Sequence, residues 1–194
     1  MTTTFLLARH GQTDWNRDAR FQGHADPPLN ERGSERVRAL ARPLADEQLA
    51  AIYSSNLRRA SETAKIVAQT LRTTYEARRD LREIDVGEWS GLTIEEIEER
   101  FPEGLRRHRA ADDGWERVEP HAAMSDRVLE AVRTIAAAHP GSSVLIVGHG
   151  RTIRALRAEA EGMPLADYRR TSPPVRNASI VRIAVEQGIF SSLD

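Results

Sequence analysis

Two short apolar runs, each stopping at a histidine followed by glycine, constrain this chain more than any other feature. Ser143-Val144-Leu145-Ile146-Val147 is continuously aliphatic and runs into Gly148-His149-Gly150, while Phe5-Leu6-Leu7-Ala8 is equally unbroken and runs into Arg9-His10-Gly11. A strand that is apolar at every position must be covered on both faces, the situation inside a parallel sheet flanked by helices. Further strands are expected at Ala51-Ile52-Tyr53 and, alternating, from Asn177 to Val185.

Helical spacing fills the intervals. Asn30 is placed to cap a helix carrying Val37, Leu40, Ala41 and Leu44, weakened at its end by Pro43. Ala60, Ala64, Val67, Ala68 and Leu71 mark one face of a second helix. Leu81 to Gly91 reads as irregular. Thr93 and Glu96 form a capping box before a short helix ended by Pro102, and Arg106 to Asp113 reads as another short helix. Ser125 is expected to cap a long helix with Val128, Val132, Ile135 and Ala136 inward, and a new helix is expected to begin near Thr152. This alternation implies an α/β fold: a mostly parallel central sheet between two helical layers, with the helical stretch from Thr93 to about Arg117 inserted over one end.

With 194 residues, 40% of them hydrophobic, the chain suits one domain over 1–194 and is too apolar for a disordered one. Lys and Arg number 28 against 29 Asp and Glu, so no bulk field points to nucleic acid or an anionic membrane. The absence of cysteine excludes a thiolate nucleophile, a disulfide framework and Cys-based metal sites. The first residues lack the basic and long apolar regions of an export signal, and no run approaches the roughly 20 apolar residues of a membrane span, so a cytoplasmic location is expected.

Ligands of parallel sheets bind beyond the carboxyl ends of the strands, so His10 and His149 are expected to share a site. A metal centre would want carboxylates or further imidazoles at close spacing, and no HExxH or HxH is present. Arginine beside histidine and glycine suits phosphate instead: guanidinium neutralises its charge, glycine lets backbone amides approach, and a neutral imidazole can attack phosphorus. A dinucleotide site is disfavoured, because no GxGxxG follows the first strand and no Walker motif occurs.

The order of motifs resembles the histidine phosphatase superfamily, in its cofactor-dependent phosphoglycerate mutase branch. The residues that carry the resemblance are Arg9-His10-Gly11-Gln12-Thr13-Asp14-Trp15-Asn16, Phe21-Gln22-Gly23, Leu29 to Gly33, Tyr53 to Ala64, Leu81 to Gly91, Gly148-His149-Gly150 and Asn177-Ala178-Ser179. Almost the whole chain is covered. The resemblance implies a three-layer α/β/α fold with a helical insertion at about 93–124 over the active-site end. It implies His10 as a nucleophile that becomes phosphohistidine, with Arg9, Arg59 and His149 lining the phosphate pocket and Glu83 as general acid and then base. Thr13, Asn16, Gln22, Gly23 and Gly150 would complete the substrate-binding set. Neither metal nor cofactor is implied. Arg59 rather than Arg58 is chosen because the family's arginine directly precedes alanine.

Plainer readings stand beside these. Arg36, Arg38 and Arg58 read as solvated helix charges. Asp85 and Glu88 are neighbours of Glu83 or alternatives to it as the acid. Trp15 and Trp89 are pocket-wall or core residues. His24, His108, His121 and His139 read as surface histidines, with His24 and His121 in loops able to reach the pocket. The sequence departs from the family pattern at Ala122-Ala123-Met124-Ser125, where Gly-Gly-Glu-Ser is frequent, and at Arg151, which either reads an acidic substrate group or starts a solvated helix. Arg106, Arg107, Arg109 and Arg151 together hint at an anionic substrate.

The resulting expectation is a metal-independent phosphomonoesterase of the histidine acid phosphatase type, acting on a small phosphorylated metabolite. A phosphoglycerate mutase is the first alternative, disfavoured by the compact stretch from Thr93 to Met124, and a non-catalytic phosphate-ester-binding protein is the second. A homodimer is left open.

Overall fold

The computed structural model describes residues 1–110, 113 and 118–193. Among these, six strands form one sheet in the order β3-β2-β4-β1-β5-β6. They are β1 (Thr3–Arg9), β2 (Leu49–Ser55), β3 (Glu76–Arg78), β4 (Ser143–Gly148), β5 (Ile180–Glu186) and β6 (Ile189–Ser192). The first four are mutually parallel, and β5 and β6 run antiparallel at one edge. The expected mostly parallel sheet is therefore present, with only β5 reversed among the described strands. Two strands escaped the sequence pattern: β3 is only three residues of Glu-Ala-Arg, and β6 is too short for alternation to register.

The helices are α1 (Asp14–Arg17), α2 (Glu31–Ala41), α3 (Arg58–Leu71), α4 (Ile94–Arg100), α5 (Pro102–Arg109), α6 (His121–Ala138), α7 (Gly150–Ala160) and α8 (Leu165–Thr171). Alternation along β1 divides the core. Leu6 and Ala8, with Leu145, Val147 and Ile52, pack against Val37 and Ala41 of α2 and Ala60, Ala64 and Val67 of α3. Phe5 and Leu7, with Val144 and Ile146, face the other way onto Val128, Val132 and Ile135 of α6 and Ile153 and Leu156 of α7. Helices thus cover both faces, as the uninterrupted apolar runs require.

Caps account for several boundaries. Asn30 accepts from the Gly33 amide and starts α2, and Thr93 and Glu96 exchange bonds at the head of α4. Pro43 ends α2 in a short 3-10 turn rather than kinking it, and Pro102 ends α4 while opening α5 as its first residue. The long helix begins at His121, four residues before Ser125, because Pro120 in extended conformation serves as its cap. The helix expected over Arg106–Asp113 lies earlier, at α5, and the expected end near Arg117 falls outside the described residues.

Candidate active site

Parallel registry places the two histidines together. Arg9 at the end of β1 pairs with Gly148 at the end of β4, and the His10 amide donates to the Gly148 carbonyl at 3.0 Å. The imidazoles of His10 and His149 consequently lie side by side, ring centroids 5.2 Å apart and tilted by 58°. His10 Nδ1 donates to the Gly11 carbonyl at 2.7 Å. That bond assigns the proton to Nδ1 and leaves the lone pair on Nε2.

The backbone around His10 is braced from several elements. Asn177 Nδ2 donates to the His10 carbonyl at 3.0 Å and to Asn16 Oδ1 at 3.3 Å. The Gly11 amide donates to Thr63 Oγ1, whose hydroxyl in turn donates to the Arg59 carbonyl one helical turn earlier on α3. Gly33 permits the close approach of α2: a Cβ there would lie 2.1 Å from the Gln12 carbonyl oxygen.

Arg59 is buried, 1% exposed, which is costly for a charge unless it is held. Nη1 donates to the Ala25 carbonyl at 2.7 Å and Nη2 to the Gly23 carbonyl at 2.9 Å. Burial pushes its pKa down to about 10, against the opposing pull of Glu83 and Asp26, so it remains charged at neutral pH. Gly23 is in the left-handed region at φ 51°, and a Cβ there would collide with Val86. This glycine orients Arg59 through its carbonyl as well as lining the cavity.

A cavity of about 240 Å³ is lined by His10, Asn16, Gln22, Gly23, Arg59 and Glu83, with Arg9, Trp15 and Arg151 among its other walls. Several polar atoms at this end have no hydrogen-bond partner among the described residues: Arg9 Nε, Arg59 Nε, Gln22 Oε1 and both ring nitrogens of His149. Buried polar atoms without partners are uncommon, and their convergence here indicates a polar ligand site. Burial, then the charges of Arg59 and Arg9, push His10 well below the usual histidine range; burial and Arg59 do the same to His149. Both are neutral at pH 7.

Glu83 is held from both sides. Its Oε1 accepts from the Ile84 amide at 3.0 Å and its Oε2 from the Arg151 amide in the first turn of α7 at 3.2 Å. His24 Nε2 donates to the Glu83 carbonyl at 2.8 Å. His24 is therefore a brace of the Glu83 segment rather than a plain surface residue. Of the other acids, Asp85 accepts from the Gly87 amide and lies near His24, and Glu88 is exposed; neither lines this cavity or the larger one beside it.

Of the expected substrate-binding residues, Thr13 stands apart. It is buried, its hydroxyl caps α1 and engages Asn16, and it lines neither cavity. The Thr13 bonds occupy Asn16 Oδ1, and Asn16 itself lines the smaller cavity.

Arg9, Glu83 and Arg151 are also part of a second, larger cavity of about 490 Å³, bounded by Gly150, by the end of α5, the start of α6, α7 and α8. Two histidines read as surface residues line it. His121 is buried, with Nδ1 on Asp113, and burial followed by Arg169 lowers its pKa to about 4; His108 is half-buried and lowered to about 3 by burial, Arg151 and Arg169. Only His139 fits the plain reading, bonded to Tyr53 away from the site. Met124 is fully buried and forms part of this wall. Arg154 on α7 was missed, and so were Arg169 and Arg170, since α8 has no apolar periodicity to announce it. Arg106 is exposed against Glu103 and lines neither cavity, nor does Arg107; Arg58, exposed against Glu62, is the solvated charge expected. Trp89 is core, and Trp15 is wall.

The family model for the histidine phosphatase superfamily (branch 1) matches residues 5–193. The chain belongs to that superfamily. Phosphoserine phosphatase 1 of Hydrogenobacter thermophilus is 33% identical over 168 residues, 84% of this chain and 78% of the relative. The probable phosphoglycerate mutase GpmB of Salmonella choleraesuis is 34% identical over 188 residues, 93% and 84% of the two chains. YhfR of Bacillus stearothermophilus superposes with a TM-score of 0.90 at 37% identity, over 98% of this chain and 95% of that one. The fold is accordingly the phosphoglycerate mutase-like histidine phosphatase fold. No described helix is long and apolar enough to cross a membrane.

Proposed function

We propose that this histidine phosphatase domain, spanning residues 1–194, hydrolyses phosphomonoesters of small metabolites through a phosphohistidine on His10, without a metal. The observation that carries the reading is the state of His10: neutral, Nδ1 spent on Gly11, and Nε2 left to attack in a cavity whose walls include Arg9 and Arg59. The Nε2 lone pair forms a bond to phosphorus while the bond to the ester oxygen breaks, and Glu83 gives that oxygen a proton. Glu83 then takes a proton from water as the hydroxide adds to phosphorus, and His10 leaves as neutral imidazole.

Arg9 and Arg59 hold the equatorial oxygens as charge redistributes, and His149, the Asn16 amide and the Gly150 amide add donors. These roles support the proposal of a phosphoric monoester hydrolase of the histidine acid phosphatase type. The test is phosphate release from an aryl phosphate and alkyl monoesters in EDTA, with His10→Ala beside wild type. Release that survives EDTA and is lost in the variant is expected. Release retained by His10→Ala removes the nucleophile assignment, and phosphoglycerate interconversion that needs a bisphosphoglycerate primer would replace hydrolysis with the mutase reading.

A further inference from the structure

One peptide unit carries two of the bonds that fix Glu83. Its N–H, on Ile84, donates to Glu83 Oε1 at 3.0 Å, and its carbonyl, on Glu83, accepts from His24 Nε2 at 2.8 Å. The unit is trans and planar, so the N–H and the carbonyl point in opposite directions and cannot turn independently. Holding the carbonyl therefore aims the N–H at the carboxylate, and polarising the carbonyl strengthens what the N–H donates. The other carboxylate oxygen, Oε2, accepts from the Arg151 amide at 3.2 Å, in the first turn of α7. That amide is fixed by its helix, whereas the unit between residues 83 and 84 lies in irregular chain and depends on its partners.

His24 is delivered to this point by its own turn. Gly23, at φ 51°, brings the backbone against the 84–86 segment, where a Cβ would stand 2.9 Å from the Val86 amide nitrogen and 3.3 Å from the Ile84 carbonyl oxygen. At the other ring nitrogen, Asp85 Oδ2 stands 3.5 Å from Nδ1, and Asp85 is itself anchored through Oδ1 on the Gly87 amide. The residues on either side of His24 serve the phosphate end, since the Gly23 and Ala25 carbonyls hold the Arg59 guanidinium at 2.9 and 2.7 Å. Three consecutive residues thus tie the cation assigned to the phosphoryl group to the carboxyl assigned to its ester oxygen.

We propose that His24 is a positioning residue for proton transfer: it fixes the peptide between residues 83 and 84 so that the Glu83 carboxyl meets the ester oxygen at a set distance from Arg59. His24 lines neither the smaller nor the larger cavity, so it acts through Glu83 and not on the substrate. The inference rests on the phosphatase reading above and adds to it a residue outside the pocket. Without the His24 donor the peptide tilts, Oε1 loses its amide and the carboxyl swings about Oε2. A misplacement of about 1 Å caused at such a distance costs up to about 100-fold in rate.

The experiment measures kcat/KM for phenyl phosphate and p-nitrophenyl phosphate, esters of similar shape whose leaving oxygens differ in their need for a proton, in wild type, His24→Ala and His24→Gln. His24→Ala is expected to lower the phenyl-to-nitrophenyl ratio at least about 5-fold, the worth of one ordinary hydrogen bond, whatever loss the two esters share. His24→Gln, whose side-chain amide donates to the same carbonyl, is expected to recover most of that ratio. In a Glu83→Gln background His24→Ala is expected to change the ratio no further, because the two residues act as one unit. The Ile84 amide proton, followed by NMR, is expected to move upfield in His24→Ala and to return in His24→Gln, with melting curves showing that each variant folds. Equal losses on both esters, a ratio that His24→Gln does not recover, or an unmoved Ile84 proton overturns this inference and leaves the phosphatase reading intact. A ratio unchanged by Glu83→Gln alone removes the acid assignment and this inference with it. A wild type that hydrolyses neither ester overturns the phosphatase reading as a whole.

Discussion

Asn177, in the turn before β5, donates to the carbonyl of His10, 3.0 Å away and 167 positions earlier in the chain. The same amide reaches Asn16, so one side chain holds the backbone of the proposed nucleophile and orients Asn16, the proposed phosphate ligand. Asn177→Asp replaces these donors with a carboxylate facing a carbonyl, and should slow transfer to His10 more than Asn177→Ala does. Single-turnover phosphorylation, followed beside thermal melting, checks this: a loss of melting temperature with an unchanged transfer rate would make Asn177 structural only.

Arg59 presents a planar fork already anchored to two carbonyls, which a lysine cannot copy. Arg59→Lys should lower kcat/KM by about 10- to 100-fold, corresponding to the loss of one charge-assisted bond of about 1.5–3 kcal/mol. Initial rates on p-nitrophenyl phosphate measure it, and a loss under about threefold would place phosphate recognition elsewhere.

The Glu83 carboxyl lies between the two cavities, so its substitution should depend on the leaving group. Glu83→Gln is expected to slow alkyl phosphates much more than activated aryl phosphates, whose oxygen departs without a proton. Equal losses on both would move the acid role to another group.

Stability should decline as pH falls, and the sign follows from the histidines. His10, His149 and His121 have pKa values lowered in the fold, so below about pH 6.5 the unfolded chain binds protons that the native chain does not. Each contributes a slope of up to about 1.4 kcal/mol per pH unit between its unfolded and folded values. Melting temperature should drop clearly from pH 7 to pH 5, and His121→Gln, whose group titrates at about 4 in the fold, should flatten the profile. A flat wild-type profile over that range would contradict the buried neutral histidines.

Gly33→Ala tests the contact between α2 and the loop after β1. The new methyl group would overlap the Gln12 carbonyl, and relieving the overlap should cost about 1–3 kcal/mol and displace the loop that carries His10. Denaturant unfolding and kcat read the two consequences; an unperturbed variant would show that the loop yields freely.

The residues of the phosphate end were legible in the chain because each requirement is local. A strand covered on both faces must be apolar throughout, and a catalytic group must stand where that strand stops, so Phe5–Ala8 and Val144–Val147 marked both the sheet centre and the positions of His10 and His149. Arg59 and Glu83 were named only through the family resemblance. Their convergence depends on Gly23, Ala25 and the Arg151 amide, partners supplied by other elements.

The larger cavity was legible only in part, through Arg109, Arg151 and the loop position of His121. Apart from Arg9 at the end of β1, its arginines come from α5, α7 and α8 and its histidines from α5 and α6, and each of these helices taken alone looks like an ordinary charged segment. His121 illustrates the point: a histidine four residues before an expected cap has no periodic reason to be buried, and in the fold it stacks on His108 of α5 and bonds to Asp113. Short-range pattern determined which residues stand at the strand ends. Which charges face one another across a cavity was decided by helices that meet only after the chain has folded, because electrostatic proximity is a property of space and not of spacing along the chain.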